Sequence, residues 1–200
     1  NGSATDDDFS FSLSGTGRFR VNLFRQRGSI AAVVRVIRFG LPTAEEAHIP
    51  PEVMRAAQMK KGIVLVTGSA GSGKSTTLAC IINQINRTRT GHILTLEDPV
   101  EYIHRHDKCI VSQREIGCDC PSYVAALRSA LRESPDVILL GEMRDKETME
   151  VAMTAAETGQ LLLSSLHTTG AANTIDRIID AFPPNQQAQI RLQLSMVLQA

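Results

Sequence analysis

The stretch Gly68-Ser-Ala-Gly-Ser-Gly73-Lys74-Ser75 decides the fold class, because it fills every fixed position of the phosphate-binding pattern G-x-x-x-x-G-K-[ST]. The β-branched run Ile63-Val-Leu-Val-Thr67 precedes it and predicts a buried strand, and residues 75–83 predict a helix. A glycine-rich turn that fits the pattern by chance is the alternative. The strand before it and the helix after it favour a phosphate-binding loop at a helix N-terminus.

Each position of this loop has a predicted task. Glycines let the backbone curl so that its N–H groups point at phosphate oxygens. Lys74 is expected to reach the β- and γ-phosphates of a nucleotide, and Ser75 to hold Mg²⁺. The predicted nucleotide-binding residues are Gly68, Ser69, Ala70, Gly71, Ser72, Gly73, Lys74, Ser75 and Thr76.

Composition sets limits on the class of protein. The chain has 200 residues, of which 42% are hydrophobic, enough for one core of ordinary size or for one domain and a piece of another. A formal net charge of zero argues against a general nucleic-acid binder. Apolar runs are short, so we expect no membrane-spanning segment and no signal peptide. Cys118-Asp-Cys120 is a poor zinc half-site, and reduced thiols in a cytosolic protein are expected.

The first forty residues predict antiparallel strands. Residues 9–14 and 18–24 alternate between apolar and polar side chains around a three-residue loop at 15–17, and residues 30–37 form a third strand. We expect an acidic turn at Asp6-Asp-Asp8 before the first strand. Three strands do not close a core, so residues 1–40 are expected to be part of a small α+β domain whose N-terminal half is missing. Residues 41–50 are predicted to be a linker.

From residue 51 onward, strands and helices alternate. This order predicts an α/β domain over residues 51–200, with a mostly parallel sheet, helices on both faces and ligands at the carboxyl ends of the strands. The predicted helices are 51–59, 74–88, 122–132, 146–158 and 171–180, and the predicted strands are 63–67, 92–97, 137–140 and 161–166.

Carboxylates follow two of these strands. Glu97-Asp98-Pro-Val-Glu101 ends one apolar strand, and Glu142 follows Val137–Leu140. A nucleotide hydrolase needs carboxylates to help hold hydrated Mg²⁺ and to orient or deprotonate the attacking water. The alternative is that strands simply end in polar residues. Gly141 stands where a generic Walker B strand has Asp.

A histidine reaches the same predicted edge. His167 follows the apolar run 161–166, and a histidine there is by itself more often a capping or core residue. Together with the two acidic clusters it is a candidate sensor of the γ-phosphate.

Six arginines and no acidic residue lie between Phe9 and Ala44. A solvated strand face accounts for most of them. Nucleic-acid binding is disfavoured, because this segment has no Tyr or Trp on which bases could stack. We expect one or two of the arginines to supply positive charge to the triphosphate.

As a set, these residues resemble the secretion and type IV pilus motor ATPases, and within that family the retraction branch. The resemblance runs over nearly the whole chain, and four boxes appear in the family's order. They are the Walker A box Gly68–Ser75, the Asp box Thr95–Glu101, the Walker B box Asp136–Glu142 and the His box Gly159–His167, with further similarity at 17–22, 109–115, 177–184 and 189–191.

The resemblance implies a RecA-like P-loop NTPase domain preceded by a PAS-like domain. It implies that Glu142 is the catalytic glutamate and, with Ser75, a metal-binding residue. It also implies that Glu101 is the assisting Asp-box acid and that His167 is the second His-box histidine. Gln160 replaces the family's first His-box histidine. Arg20 and Arg35 match the arginines that the PAS-like domain presents to the nucleotide.

The resemblance also implies a function. Family members are homo-hexamers that hydrolyse ATP with Mg²⁺ at the cytoplasmic face of the inner membrane, associated only peripherally, and work with a pilus platform protein and the pilin machinery. The expected function is pilus retraction, with no nucleic-acid partner. A type II secretion or pilus-assembly ATPase, and a regulatory subunit that binds nucleotide without hydrolysing it, are the alternatives.

Overall fold

The computed structural model describes residues 6–13, 16–37 and 40–200. Contacts divide the chain into two compact units. One unit contains the described residues up to Gly40 together with Glu101–Ile103, and the other contains Leu41–Val100 and His104–Ala200.

The N-terminal unit is an antiparallel meander of three strands. These are β1 (Asp6–Leu13), β2 (Gly17–Gln26) and β3 (Ser29–Ile37), in the order β1-β2-β3. The prediction of three antiparallel strands is confirmed. The predicted acidic turn is wrong, because Asp6–Asp8 belong to β1 and pair with β2.

The second unit is an α/β sandwich around a five-stranded sheet. In chain order its elements are α1 (Pro51–Met54), a 3₁₀ turn (Arg55–Gln58), β4 (Gly62–Thr67), α2 (Lys74–Thr88), β5 (Gly91–Glu97), β6 (Cys109–Glu115), α3 (Tyr123–Ala130), β7 (Val137–Leu140), α4 (Lys146–Glu157), β8 (Leu161–Leu166), α5 (Ala171–Asp180) and α6 (Pro184–Val197). The strands run in the order β4-β8-β7-β5-β6, and all four pairings are parallel, as predicted.

Helices cover both faces of this sheet. On one face the fully buried Ile81, Ile82 and Ile85 of α2 pack in a cluster with residues of β4, β5, β7 and β8. On the other face, side chains of α3, α4 and α6 form a second cluster with the alternate strand residues. The strands are nearly continuous apolar runs because helices bury them on both sides.

Two elements were not predicted. β6 is an edge strand with Ser, Gln, Arg and Glu in its second half, so it lacks the apolar run that marks the other strands. α6 begins at Pro184, directly after Pro183, and a proline at the first helical position costs no hydrogen bond. Beyond α6 the chain pairs with β4, since Gln199 N–H donates to Ile63 O at 2.8 Å.

Candidate active site

The glycine-rich loop lies between β4 and α2, where the motif predicts it. Gly73 has the left-handed φ of 91° and is the N-cap of α2; within the described residues, no side chain caps that helix start. Gly68 has a φ of 150°, which residues with a side chain rarely adopt, and a Cβ there would lie 2.6 Å from Ser72 Oγ. A helix start without a side-chain cap is a common place for an anionic ligand to bind.

Lys74 turns its ammonium group back over the loop. The residue is only 8% exposed, and Nζ donates hydrogen bonds to the carbonyl oxygens of Gly68 at 3.0 Å and Ser69 at 2.8 Å. Nζ also lies 3.5 Å from Nδ1 of His167. Ser75, the next residue, is exposed. The two polar residues that end the motif thus differ in exposure, with the lysine buried and the serine exposed.

Glu142 is buried beside two basic groups. It is 8% exposed, its Oε1 accepts a hydrogen bond from Arg144 Nε, and its Oε2 lies 3.5 Å from Nε2 of His167. His167 is thus in contact with Lys74 through one ring nitrogen and with Glu142 through the other. The structure brings together Lys74, Glu142 and His167, which lie far apart in sequence.

Backbone hydrogen bonds hold the residues around Glu142. Gly141 N–H donates to Leu96 O at 2.8 Å, and Ser165 Oγ donates to Gly141 O at 2.7 Å. Met143 N–H donates to Ser165 O at 3.3 Å. These bonds tie the end of β7 to both neighbouring strands, so the glutamate is presented by a rigid segment.

Gly141 has a steric reason to be glycine. A Cβ at this position would lie 2.8 Å from Tyr123 Oη and 3.3 Å from Leu96 O. The aspartate of a generic Walker B strand would therefore collide with α3. Tyr123 is a neighbour of the site that the sequence did not reveal; burial, and then the carboxylates of Glu142 and Asp98, raise the pKa of its phenol.

Glu101 is exposed, and its contacts place Glu101–Ile103 in the N-terminal unit. The residue directly before it, Val100, is buried. The predicted Asp-box acid therefore directly follows a buried residue of the second unit.

Arg20 and Arg35 are direct partners across β2 and β3. Opposed residues of an antiparallel pair project from the same face, so the two candidate arginines share one face of the meander. Arg20 also makes two hydrogen bonds to Asp8, at 3.2 and 2.9 Å, between side chains that are 31% and 47% exposed. Sequence reasoning missed this partner, although Asp8 lies two residues before Ser10, which pairs with Arg20.

Gln160 lies at the opposite end of β8 from His167. Its Oε1 accepts a hydrogen bond from Thr158 Oγ1 at 2.7 Å. A strand rises about 3.3 Å per residue, so roughly 20 Å of β8 separates Gln160 from the histidine. The replacement of the family's first histidine therefore lies away from the Lys74–Glu142–His167 cluster.

The comparisons with known proteins define the class to which this fold and site belong, a family of secretion and pilus ATPases. The chain belongs to the family of type II/IV secretion system proteins, whose profile matches residues 27–199. None of the helices in the described ranges combines the length and apolar character that a bilayer crossing requires.

Within that family, this chain is most informatively compared with pilus motors. It is 51% identical over 195 residues, 98% of its length, to the type IV pilus retraction ATPase PilT of Pseudomonas aeruginosa. It is 52% identical over 193 residues, 96% of its length, to the twitching motility protein of Neisseria gonorrhoeae. The crystal structure of the pilus retraction motor PilT with bound ADP superposes with a TM-score of 0.94, at 53% identity over 98% of this chain and 57% of that one. The chain spans 57% and 52% of the length of the two curated relatives.

Proposed function

We propose that this chain is the nucleotide-hydrolysing part of a hexameric ATPase that powers type IV pilus retraction. The observation that carries the proposal is the placement of His167, which contacts both Lys74 of the loop and Glu142. A phosphate-binding group, a carboxylate and a group able to sense both are thereby joined in one cluster. The likeness to PilT along nearly the entire chain supports the same conclusion.

Residues 68–76 would bind the phosphates of ATP. The backbone N–H groups of the loop and the start of α2 would donate to phosphate oxygens. Lys74 would exchange its bonds to Gly68 O and Ser69 O for bonds to the β- and γ-phosphates, which are stronger acceptors because they are charged.

Oxygen donors beside the loop fit a magnesium ion. Mg²⁺ prefers hard oxygen ligands and retains several waters. The exposed hydroxyl of Ser75 and the carboxylate of Glu142 are such donors, and these residues would hold it. When bound, the ion would neutralise part of the negative charge of the phosphates.

Glu142 would orient and deprotonate the attacking water. Its carboxylate is buried, and Arg144 and His167 hold one oxygen each, so its direction is fixed before the nucleotide arrives. His167 would report the state of the phosphates at Lys74 to Glu142. Glu101 would assist as a second carboxylate.

Arg20 and Arg35 would supply positive charge to the γ-phosphate. Both project from one face of the meander, so they could act together in an assembled ring. Guanidinium groups suit this task because they stay charged and bind phosphate oxygens in pairs.

Work on a pilus requires partners beyond the chain. We propose a homo-hexamer at the cytoplasmic face of the inner membrane that contacts the platform protein and acts on pilin, with only peripheral membrane association. Nucleotide turnover would then drive rigid-body rotation of the domains. A secretion or pilus-assembly ATPase is the second candidate, because it shares all four boxes.

Two measurements test the proposal. In the full-length protein, Lys74→Ala should weaken ATP binding by about one to two orders of magnitude, since it removes a charge-assisted contact worth roughly 1.5–3 kcal/mol. Unchanged affinity in calorimetry would contradict the loop assignment. Deleting the gene should abolish pilus retraction and leave assembly intact; lost assembly would favour the second candidate.

A further inference from the structure

Two side chains of β6 hold the backbone on either side of Glu101. Glu115 Oε2 accepts a hydrogen bond from the N–H of Val100 at 3.1 Å, directly before Glu101. Gln113 Oε1 accepts one from the N–H of His104 at 2.8 Å, three residues after Glu101. Gln113 and Glu115 are two residues apart on one strand, so they project from the same face of β6.

Glu115 is buried to a degree that is rare for a carboxylate. It is 3% exposed, and burial of such a group is unfavourable unless hydrogen bonds compensate. The bond from Val100 is one of those that compensate. A buried carboxylate bonded to a loop backbone fixes that loop more strictly than a surface contact would.

The strand end that carries these side chains is itself fixed. Glu115 N–H donates to Asp119 Oδ2 at 2.7 Å, and Ile116 N–H donates to Glu97 O at 2.8 Å. Gln113 also donates through Nε2 to Glu97 Oε1 at 3.3 Å. The loop that leaves β5 is therefore bonded to β6 or to the residue after it at three points: Glu97, Val100 before Glu101, and His104 after it.

We propose that Gln113 and Glu115, here called the loop clamp, are positioning residues that set the place of Glu101 during ATP hydrolysis. This rests on the proposed function, in which Glu101 assists the reaction. Glu101 is exposed, so its place depends on its backbone more than on packing of its side chain. The clamp acts on that backbone, and its two residues are not among the predicted phosphate-binding residues 68–76.

Steady-state kinetics of the full-length protein test the clamp. Glu115→Met and Gln113→Leu remove the acceptors, and each should lower kcat by about 10-fold to 100-fold, the size of effect that misplacement by an ångström can cause. KM for ATP should change little, because residues 68–76 bind the phosphates. Glu115→Gln keeps an acceptor oxygen and should restore most of kcat. Ser112→Ala is the matched control: Ser112 lies on the other face of β6, bonded to His92, and the variant should behave as wild type.

A double-mutant cycle separates positioning from general damage. In a Glu101→Gln background, Glu115→Met should cost nothing further, because the group it positions has already lost its charge. If the double variant instead loses kcat by the product of the two single losses, the clamp proposal is overturned. Hydrogen exchange at the amides of Val100 and His104 should accelerate in the single variants, and unchanged protection would also overturn it. If the wild-type protein does not hydrolyse ATP, or if Glu142→Gln hydrolyses it as fast as wild type, the proposed function is overturned instead.

Discussion

His167 Nε2 lies 3.5 Å from Glu142 Oε2, while the other nitrogen of the same ring lies 3.5 Å from Lys74 Nζ. The ammonium of Lys74 has only donors, so Nδ1 is the nitrogen that accepts. Nε2 then carries the proton and faces the carboxylate. In this tautomer one imidazole ring satisfies both neighbours, so His167 links Lys74 to Glu142.

Glu142→Gln should separate binding from chemistry. The amide keeps the shape of the side chain but cannot take a proton from water, so turnover should fall by about 10²-fold or more while ATP still binds. Single-turnover hydrolysis and calorimetry on the full-length protein measure the two effects. Near wild-type turnover would assign the role to another carboxylate, with Glu101 the first to examine.

Gly141→Ala should destabilise the protein through α3. The added Cβ would lie 2.8 Å from Tyr123 Oη, and overpacking of this kind costs about 1–3 kcal/mol. Tyr123→Phe removes that oxygen, so the double variant should recover part of the lost free energy of unfolding. Urea unfolding of the four proteins gives the coupling. If the two effects simply add, the contact with Tyr123 is not the cause.

Protonation of His104 should destabilise the protein in mild acid. Burial lowers the pKa of this histidine from the usual 6.5 to about 4. Between these two values the unfolded chain binds the proton and the folded chain does not, so the free energy of unfolding falls as the pH falls. The full contribution is at most about 3.5 kcal/mol, because the pKa falls from 6.5 to about 4 and one pKa unit corresponds to about 1.4 kcal/mol.

Urea unfolding across that pH range measures this contribution. His104→Gln removes the titrating group, so the variant should lose less stability on acidification than wild type. Equal losses in the two proteins would show that the carboxylates alone cause the pH dependence.

The fold was largely predictable, and the reason is burial. β4, β7 and β8 are apolar runs bounded by turn signals, because helices cover both faces of the sheet. β6 was missed because its burial alternates and its second half is polar. Sequence patterns report burial along a segment, and that signal is weak in β6 because only its first half is apolar.

The candidate site was predictable only in part. The parallel strands explain why Glu142 and His167 meet at one edge, since both follow a strand of the same sheet. The contact of Tyr123 with Gly141 depends on how α3 packs, and no local pattern encodes it. The Asp8–Arg20 pair depends on the pairing register of β1. The sequence pattern predicts a turn at Asp8 and therefore does not predict this pair.

Loss of Arg20 or Arg35 should impair catalysis and leave folding intact. In the proposed function these arginines stabilise charge on the γ-phosphate oxygens, and an arginine finger contributes on the order of 10³–10⁵ in rate in well-studied nucleotide hydrolases. Losing one of two should cost less, about 10²-fold in turnover. Stability should change by no more than about 1 kcal/mol, because the Arg20–Asp8 pair is partly exposed.

Arg25→Ala is the matched control for this prediction. Arg25 belongs to the same strand as Arg20 but is five residues away, so it projects from the opposite face of the meander. We therefore expect lower turnover in full-length Arg20→Ala and Arg35→Ala but not in Arg25→Ala. The melting temperature should be close to wild type in all three. An equal loss in Arg25→Ala would mean that overall positive charge, and not the Arg20–Arg35 pair on one face, acts on the nucleotide.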